Sequence, residues 1–141
     1  CRLKRVAADN KGEIENLLPP LAVKKNGKRI ACIGAGPASL TVARDLLPLG
    51  YEVHIFDAEQ KGGGMIRTQI PRFRLPESVI DEEVGYILRY EPVTHFGTRI
   101  DSLKKFLAEG WDAVFIGTGA PRGRDLGLPG QKEAGKNVHI G

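Results

Sequence analysis

The chain has 141 residues, 41% hydrophobic and 27% charged, which is long enough to build one core and too apolar for a disordered chain. Its 21 Lys+Arg against 17 Asp+Glu leave a net charge of +4, spread along the sequence without the aromatic–basic interleaving of a nucleic-acid reader. The longest apolar run, 111–119, contains Asp112 and falls short of the roughly 18 residues of a membrane span, and no apolar leader segment follows the basic start.

Residues 1–9 are expected to form a short helix with Leu3, Val6 and Ala7 on one side, stopped at Asn10 and Gly12. Pro19-Pro20 and Asn26-Gly27 mark 13–27 as a linker with a helical turn at 14–18. Residues 29–34 are a continuous apolar strand, the kind buried on both faces of a parallel sheet. A helix over 37–47 turns Leu40, Ala43, Leu46 and Leu47 inward, with Pro37 suited to its first turn and Gly50 as its stop. A second strand covers 52–57, and a loop rich in Gly and Pro covers 58–76. Ile80, Val84, Ile87 and Leu88 carry helical spacing through 77–90. A strand is expected within 92–100, then a helix capped by Asp101 or Ser102 with Leu103, Phe106 and Leu107 inward, ended by Gly110. The last strands are 111–117, which Trp111 opens as a packing residue, and the strand-like 137–140. This alternation predicts an α/β fold: a doubly wound, mostly parallel sheet with helices on both faces, preceded by a short N-terminal helix and linker. Both ends look cut. Residues 1–27 read as the tail of an upstream domain, and 28–141 as a domain within a longer chain.

Gly34-Ala35-Gly36-Pro37-Ala38-Ser39 stands between the first strand and the first helix of that domain. This is the setting a Rossmann-like dinucleotide fingerprint requires. Gly34 permits the tight turn, and Gly36, lacking a Cβ, lets the backbone approach a pyrophosphate. The helix beginning at Pro37 and Ala38 aims its free N–H groups and positive dipole end at the phosphates. Ser39 takes the third position, where a small residue serves close helix–strand packing. Asp57 ends the second strand, eighteen residues after Ser39, where a carboxylate accepts from ribose hydroxyls and repels a 2′-phosphate. FAD or NAD is therefore expected over NADP. The fingerprint does not choose between those two.

Gly63-Gly64-Met65-Ile66-Arg67, followed by Ile70-Pro71-Arg72-Phe73-Arg74-Leu75-Pro76, resembles the G-G-x-L-R-x-x-I-P-x-F-R-L-P stretch of the glutamate synthase small (beta) subunit family. That family also includes the flavin half of dihydropyrimidine dehydrogenase. Gly117-Thr118-Gly119-Ala120, Pro121-Arg122 and Leu128-Pro129-Gly130 are similar to its A-T-G-A…P-R…I-P-G segment, and residues 3–9 to the L-K-R-F-x-A-D helix before the flavin domain. Thr68-Gln69 departs from the usual Tyr-Gly, and Asp57 from the commoner Glu. The chain looks closer to members that accompany iron–sulfur enzymes such as formate dehydrogenase.

The resemblance implies FAD bound here, NAD(P)H bound by a second domain of the parent protein, and electrons leaving through iron–sulfur centres of a partner or catalytic subunit. It implies that the glycine turn (Gly34, Gly36, Pro37, Ala38) meets the pyrophosphate and Asp57 the adenosine ribose. Gly64, Met65 and Arg67 would flank the flavin side. Ile100 would lie near the adenine, and Thr118 and Gly119 near the cofactor. It also makes Cys1 a candidate last ligand of an upstream iron–sulfur domain. The isolated chain, without a nicotinamide site, is expected to be an inactive fragment of an oxidoreductase. Two other readings remain: a non-catalytic NAD-binding or sensing module, and a docking module without cofactor.

The two cysteines fit a reduced, cytoplasmic setting, with Cys32 a small core residue. His54, His95 and His139 lack metal-ligand spacing, and no catalytic triad or metal site is expected. Arg67, Arg72 and Arg74 meet phosphates or a partner, or are simply solvated. Asp81, Glu82 and Glu83 read as the acidic complement of a helix N-terminus.

Overall fold

The computed structural model describes residues 2–121, 123, 125 and 127–135. Cys1, Arg122 and the strand-like 137–140, with His139, lie outside the described residues.

Among the described residues four parallel strands form one sheet: β1 (Arg29–Ile33), β2 (Glu52–Asp57), β3 (Val93–Phe96) and β4 (Ala113–Ile116), in the order β3-β2-β1-β4. Ile30 faces Val53 on one side and Ala113 on the other, so the central strand is bonded along both edges. Its run Ile30-Ala31-Cys32 is buried, which is why it reads as uninterrupted apolar sequence rather than alternation. Burial also pushes the Cys32 thiol up to about 11, so it is an inert core group.

The helices are α1 (Arg2–Asp9), α2 (Pro37–Leu46), α3 (Met65–Thr68), α4 (Glu77–Leu88), α5 (Leu103–Leu107) and α6 (Gln131–Ala134). One core lies between the sheet and the α2/α4 layer, where Leu40, Ala43, Leu47, Ile80 and Val84 meet Ile30, Val53 and Ile55. Burying a side chain such as Ile55 or Ile80 stabilises by about 1.5–3 kcal/mol. Gly50 stops this layer at φ +86, a left-handed turn that favours glycine. A smaller aromatic core occupies the opposite face, where Phe106 of α5 packs on Ala31 and Phe56, with Trp111 at its margin. Helices thus cover both faces, as the alternation predicts.

Several expectations need correction. Leu103 and Leu107 are 40% and 54% exposed, because five residues give α5 only one inward position, which Phe106 takes. Ser102 is its cap, accepting from Lys105 N at 3.3 Å. No residue of α1 is buried among the described residues, and Leu3 and Val6 are exposed. The loop 58–76 contains α3, and the tail contains α6, neither of which has a periodic apolar signal. The linker is tied to α4 rather than free. Lys11 pairs with Glu82 and Glu83, Glu15 with Arg89, and Tyr90 Oη donates to Pro19 O at 2.8 Å. The acidic run therefore does more than complement a dipole: Glu82 and Glu83 bind the linker.

Candidate dinucleotide cleft

All four strands end at the same side of the sheet, and their C-terminal ends open into one cleft of about 430 Å³. Ile33 ends β1 and Gly34 follows it, Phe56 and Asp57 end β2, Thr98 and Ile100 follow β3, and Thr118 follows β4. β2 and β4 lie on opposite sides of β1, so the chain reverses its winding here, the place where open α/β sheets bind ligands. The volume falls in the range of small-molecule sites.

The glycine turn is pinned by its own backbone. Gly34 N donates to Phe56 O at 2.7 Å, and Gly117 N to Ile33 O at 2.8 Å. Gly34 has φ +99, and a Cβ there would collide with Gly117 O, so only glycine fits. Gly36 is the N-cap of α2 and, like every glycine, offers no side-chain cap, so the first N–H groups of the helix lack a capping partner from it. Ser39 is fully buried against Gly117, and its Oγ has no hydrogen-bond partner among the described residues. Its role is close helix–strand packing, as expected of that position.

A second glycine segment forms the other wall. Gly63 N donates to Ala35 O at 2.8 Å, and a Cβ on Gly64 would come within 2.8 Å of the Gly36 Cα. The two turns touch backbone to backbone. Gly64 and Met65 line the cleft, together with Thr68 and Gln69. Gly119 stands across from Met65, its Cβ position 4.0 Å from the Met65 Sδ.

Asp57 lies at the base of the cleft and already serves the protein. Its Oδ2 accepts from Ala35 N at 2.5 Å and its Oδ1 from Glu59 N at 2.8 Å. The carboxylate thus braces the glycine turn from β2 while one edge faces the cavity.

Gly34, Asp57, Gly64, Met65, Ile100 and Thr118 are brought together as lining residues. Gly36, Pro37 and Ala38 stand at the start of α2, adjoining that lining. Arg67 is a correction. It does not line the cleft; it is 8% exposed and its guanidinium is spent on Gly62, Glu77 and Asp81. Arg72 and Arg74 are exposed on either side of Phe73, which is 88% exposed. The sequence also contained an unread pair. His54 Nδ1 and His95 Nε2 are 3.1 Å apart, and His54 Nε2 is 2.7 Å from Glu52 Oε1. The β2–β3 register puts His95 beside Phe56, so the two imidazoles become diagonal neighbours on the aromatic face. Burial, followed by the neighbouring His54, holds the His95 imidazole below its ordinary value. Among the described residues no three His, Cys, Asp or Glu gather to hold a metal, and no helix is long and apolar enough to cross a membrane.

Residues 32–109, which include the glycine turn and Asp57, match the family described as NAD(P)-binding Rossmann-like domain. The NADP(+)-dependent formate dehydrogenase subunit beta of Moorella thermoacetica is 38% identical over 110 residues, covering 77% of this chain and 16% of that protein. The glutamate synthase [NADPH] small chain of Bacillus subtilis is 30% identical over 139 residues, covering 97% of this chain and 28% of its own length. The chain therefore spans less than a third of either relative. FprA from Mycobacterium tuberculosis superposes with a TM-score of 0.62 over 74% of this chain and 25% of its own, at 22% identity, which is a likeness of fold. With the glycine turn, the parallel sheet and these matches together, the chain belongs to the NAD(P)-binding Rossmann-like domain family, and its likeness there is to glutamate synthase small chains and their kin among oxidoreductase subunits.

Proposed function

We propose that the chain is the FAD-binding part of a flavin oxidoreductase that passes electrons from NAD(P)H to iron–sulfur centres of a partner. The observation that carries the reading is the double glycine wall. Gly36 and Gly64 meet main chain to main chain near Asp57, forming a cradle next to the uncapped start of α2. A pyrophosphate fits such a cradle, because amide N–H groups and a helix dipole favour its charge and no Cβ blocks it. Asp57 is the acceptor for ribose hydroxyls and disfavours a 2′-phosphate. Ile100 adjoins the adenine, and Thr118 and Gly119 lie near the cofactor, Gly119 across from Met65. Gly64 and Met65 lie towards the flavin half.

Bound flavin would supply the exchange between two-electron and one-electron chemistry. The residues of this chain bind and orient. No catalytic acid, base or nucleophile is proposed among them. The relatives are named as NADP(+)-dependent or NADPH enzymes and are several times longer. That supports a nicotinamide site and a partner subunit outside these residues; the iron–sulfur centres are part of the proposal. The chain by itself is then inactive in NAD(P)H oxidation, and residues 28–141 form the flavin-binding unit. A second reading, an NAD-binding module, is favoured by the match to a family of NAD(P)-binding Rossmann-like domains.

The test is the visible spectrum of the purified protein after incubation with excess FAD and desalting. A near-stoichiometric flavin band is expected. A colourless protein that binds NAD in calorimetry would replace FAD by NAD, and one that binds neither would refute the cleft assignment.

A further inference from the structure

Arg67 is the most buried charged side chain of the described residues, and nothing in the cleft uses it. Its Nε donates to Gly62 O at 2.7 Å, its Nη1 to Glu77 Oε1 at 2.9 Å and its Nη2 to Asp81 Oδ1 at 2.6 Å. Glu77 and Asp81 are one turn apart on α4, so they present two carboxylates on one face. α4 is itself seated in the main core through Ile80 and Val84. On the other side, Gly62 leads directly into Gly63, which donates to Ala35 O, and Gly64, which abuts Gly36. Met65 and Arg67 are two residues apart on the single turn of α3, which sends their side chains to opposite sides. Met65 lines the cleft, and Arg67 reaches back into the protein.

We infer that Arg67 is a positioning residue: it fixes the second glycine wall of the cleft from behind, by locking the Gly62 carbonyl to α4, and does not touch the ligand. The chain of contacts is continuous from core to cleft: Ile80 and Val84, then Glu77 and Asp81, then Arg67, Gly62, Gly64 and Gly36. The planar fork is what makes this work. Three donors in fixed relative directions set the carbonyl against two carboxylates at once, which a lysine ammonium on a flexible stem does not do. The rigidity of the wall is thus borrowed from the hydrophobic core through an ion-paired arginine. The placement stands on geometry alone; its consequence for ligand affinity rests on the dinucleotide reading of the cleft.

The experiment uses Arg67→Lys and, as a gentler change at an exposed carboxylate, Asp81→Asn. Two readouts are taken in each. The first is amide hydrogen exchange without ligand. The Gly63 amide should exchange faster, while the β1 and β2 amides keep their protection. The second is FAD titration with the visible circular dichroism of the bound flavin. Affinity should fall roughly tenfold, the scale of one charge-assisted hydrogen bond, and the dichroism should change shape. Unchanged Gly63 exchange in a folded variant overturns the inference, and so does a uniform loss of protection, which would make Arg67 a general stabiliser. If Arg67→Lys fails to fold, the same criteria apply to Asp81→Asn. If the wild type holds no FAD, the functional reading fails, and the exchange result alone decides the latch. If FAD binds and both variants bind it as the wild type does, the latch plays no part in the site and the inference falls.

Discussion

Adding a methyl group at Gly36 should separate ligand binding from folding. Gly36 has φ −77 and ψ 177, an extended conformation open to any residue. An added Cβ would have the Gly64 Cα at 4.0 Å as its nearest neighbour, an ordinary contact. Folding terms nearly cancel. Alanine lowers the entropy of the unfolded chain, which stabilises by about 0.4–1 kcal/mol, and it is a poorer N-cap than glycine by roughly 0.5–1 kcal/mol. Gly36→Ala should therefore change stability by less than about 1 kcal/mol. The same methyl occupies the space beside Gly64 where a pyrophosphate would pass. Inserting a methyl into a fitted contact costs about 1–3 kcal/mol, or about five- to 150-fold in affinity. Gly36→Val should abolish binding. The assay is FAD titration beside a thermal melt on the same sample. An unchanged melting temperature with unchanged affinity would refute the reasoning, because the phosphates would then lie elsewhere.

Gly64→Ala should behave in the opposite way. At φ +55 and ψ −135 it is strained, and its Cβ would meet the Gly36 backbone at 2.8 Å, so a loss of about 2–5 kcal/mol is expected in urea unfolding; a loss under about 1 kcal/mol would mean the joint can open. Asp57→Ala should lower both stability and ligand affinity, because the buried Ala35 N–H loses its acceptor at about 1–3 kcal/mol. A variant as stable as wild type would show that the brace is not needed. The Arg67 guanidinium holds the Asp81 carboxyl below its ordinary value of 3.8. That contribution is full above the ordinary value and is lost as pH falls through the lower folded value. Asp81→Asn should flatten the acid limb of the melting-temperature profile below about pH 4, and an identical limb would exclude the pair from stability.

Much of this architecture was legible because burial on both faces leaves a plain signal. β1 and β2 are apolar runs ended by a glycine turn and by Asp57, and both segments are strands as expected. The lining of the cleft was legible from the fingerprint and the resemblance together, since backbone positions such as Gly34 and Gly64 are set by steric need. Arg67 was misplaced for a physical reason. A long side chain on a one-turn helix can reach either way, and its partners lie ten and fourteen residues on. The pairing of Glu77 with Asp81 at one-turn spacing was the signal available. The His54–His95 contact spans 41 residues and depends on the β2–β3 register, which no local pattern encodes. α5 looked like a helix with three inward residues, and its shortness left room for one.

The joint between the two glycine turns has a consequence for redesign. Where side chains meet, a contact can be loosened or tightened by exchanging one group for another. Here Gly36 and Gly64 meet as bare main chain, so there is no group to exchange. The joint is closed to substitution on the Gly64 side, where a Cβ would come within 2.8 Å of the Gly36 Cα, and open only to a small group on the Gly36 side, where a Cβ keeps 4.0 Å from Gly64. Any attempt to retune ligand choice is driven outward, to Asp57, Met65 and Ile100, where side chains do face the cavity. On the dinucleotide reading, the side chains that would tune selectivity stand at the two ends of the cleft, with main chain between them.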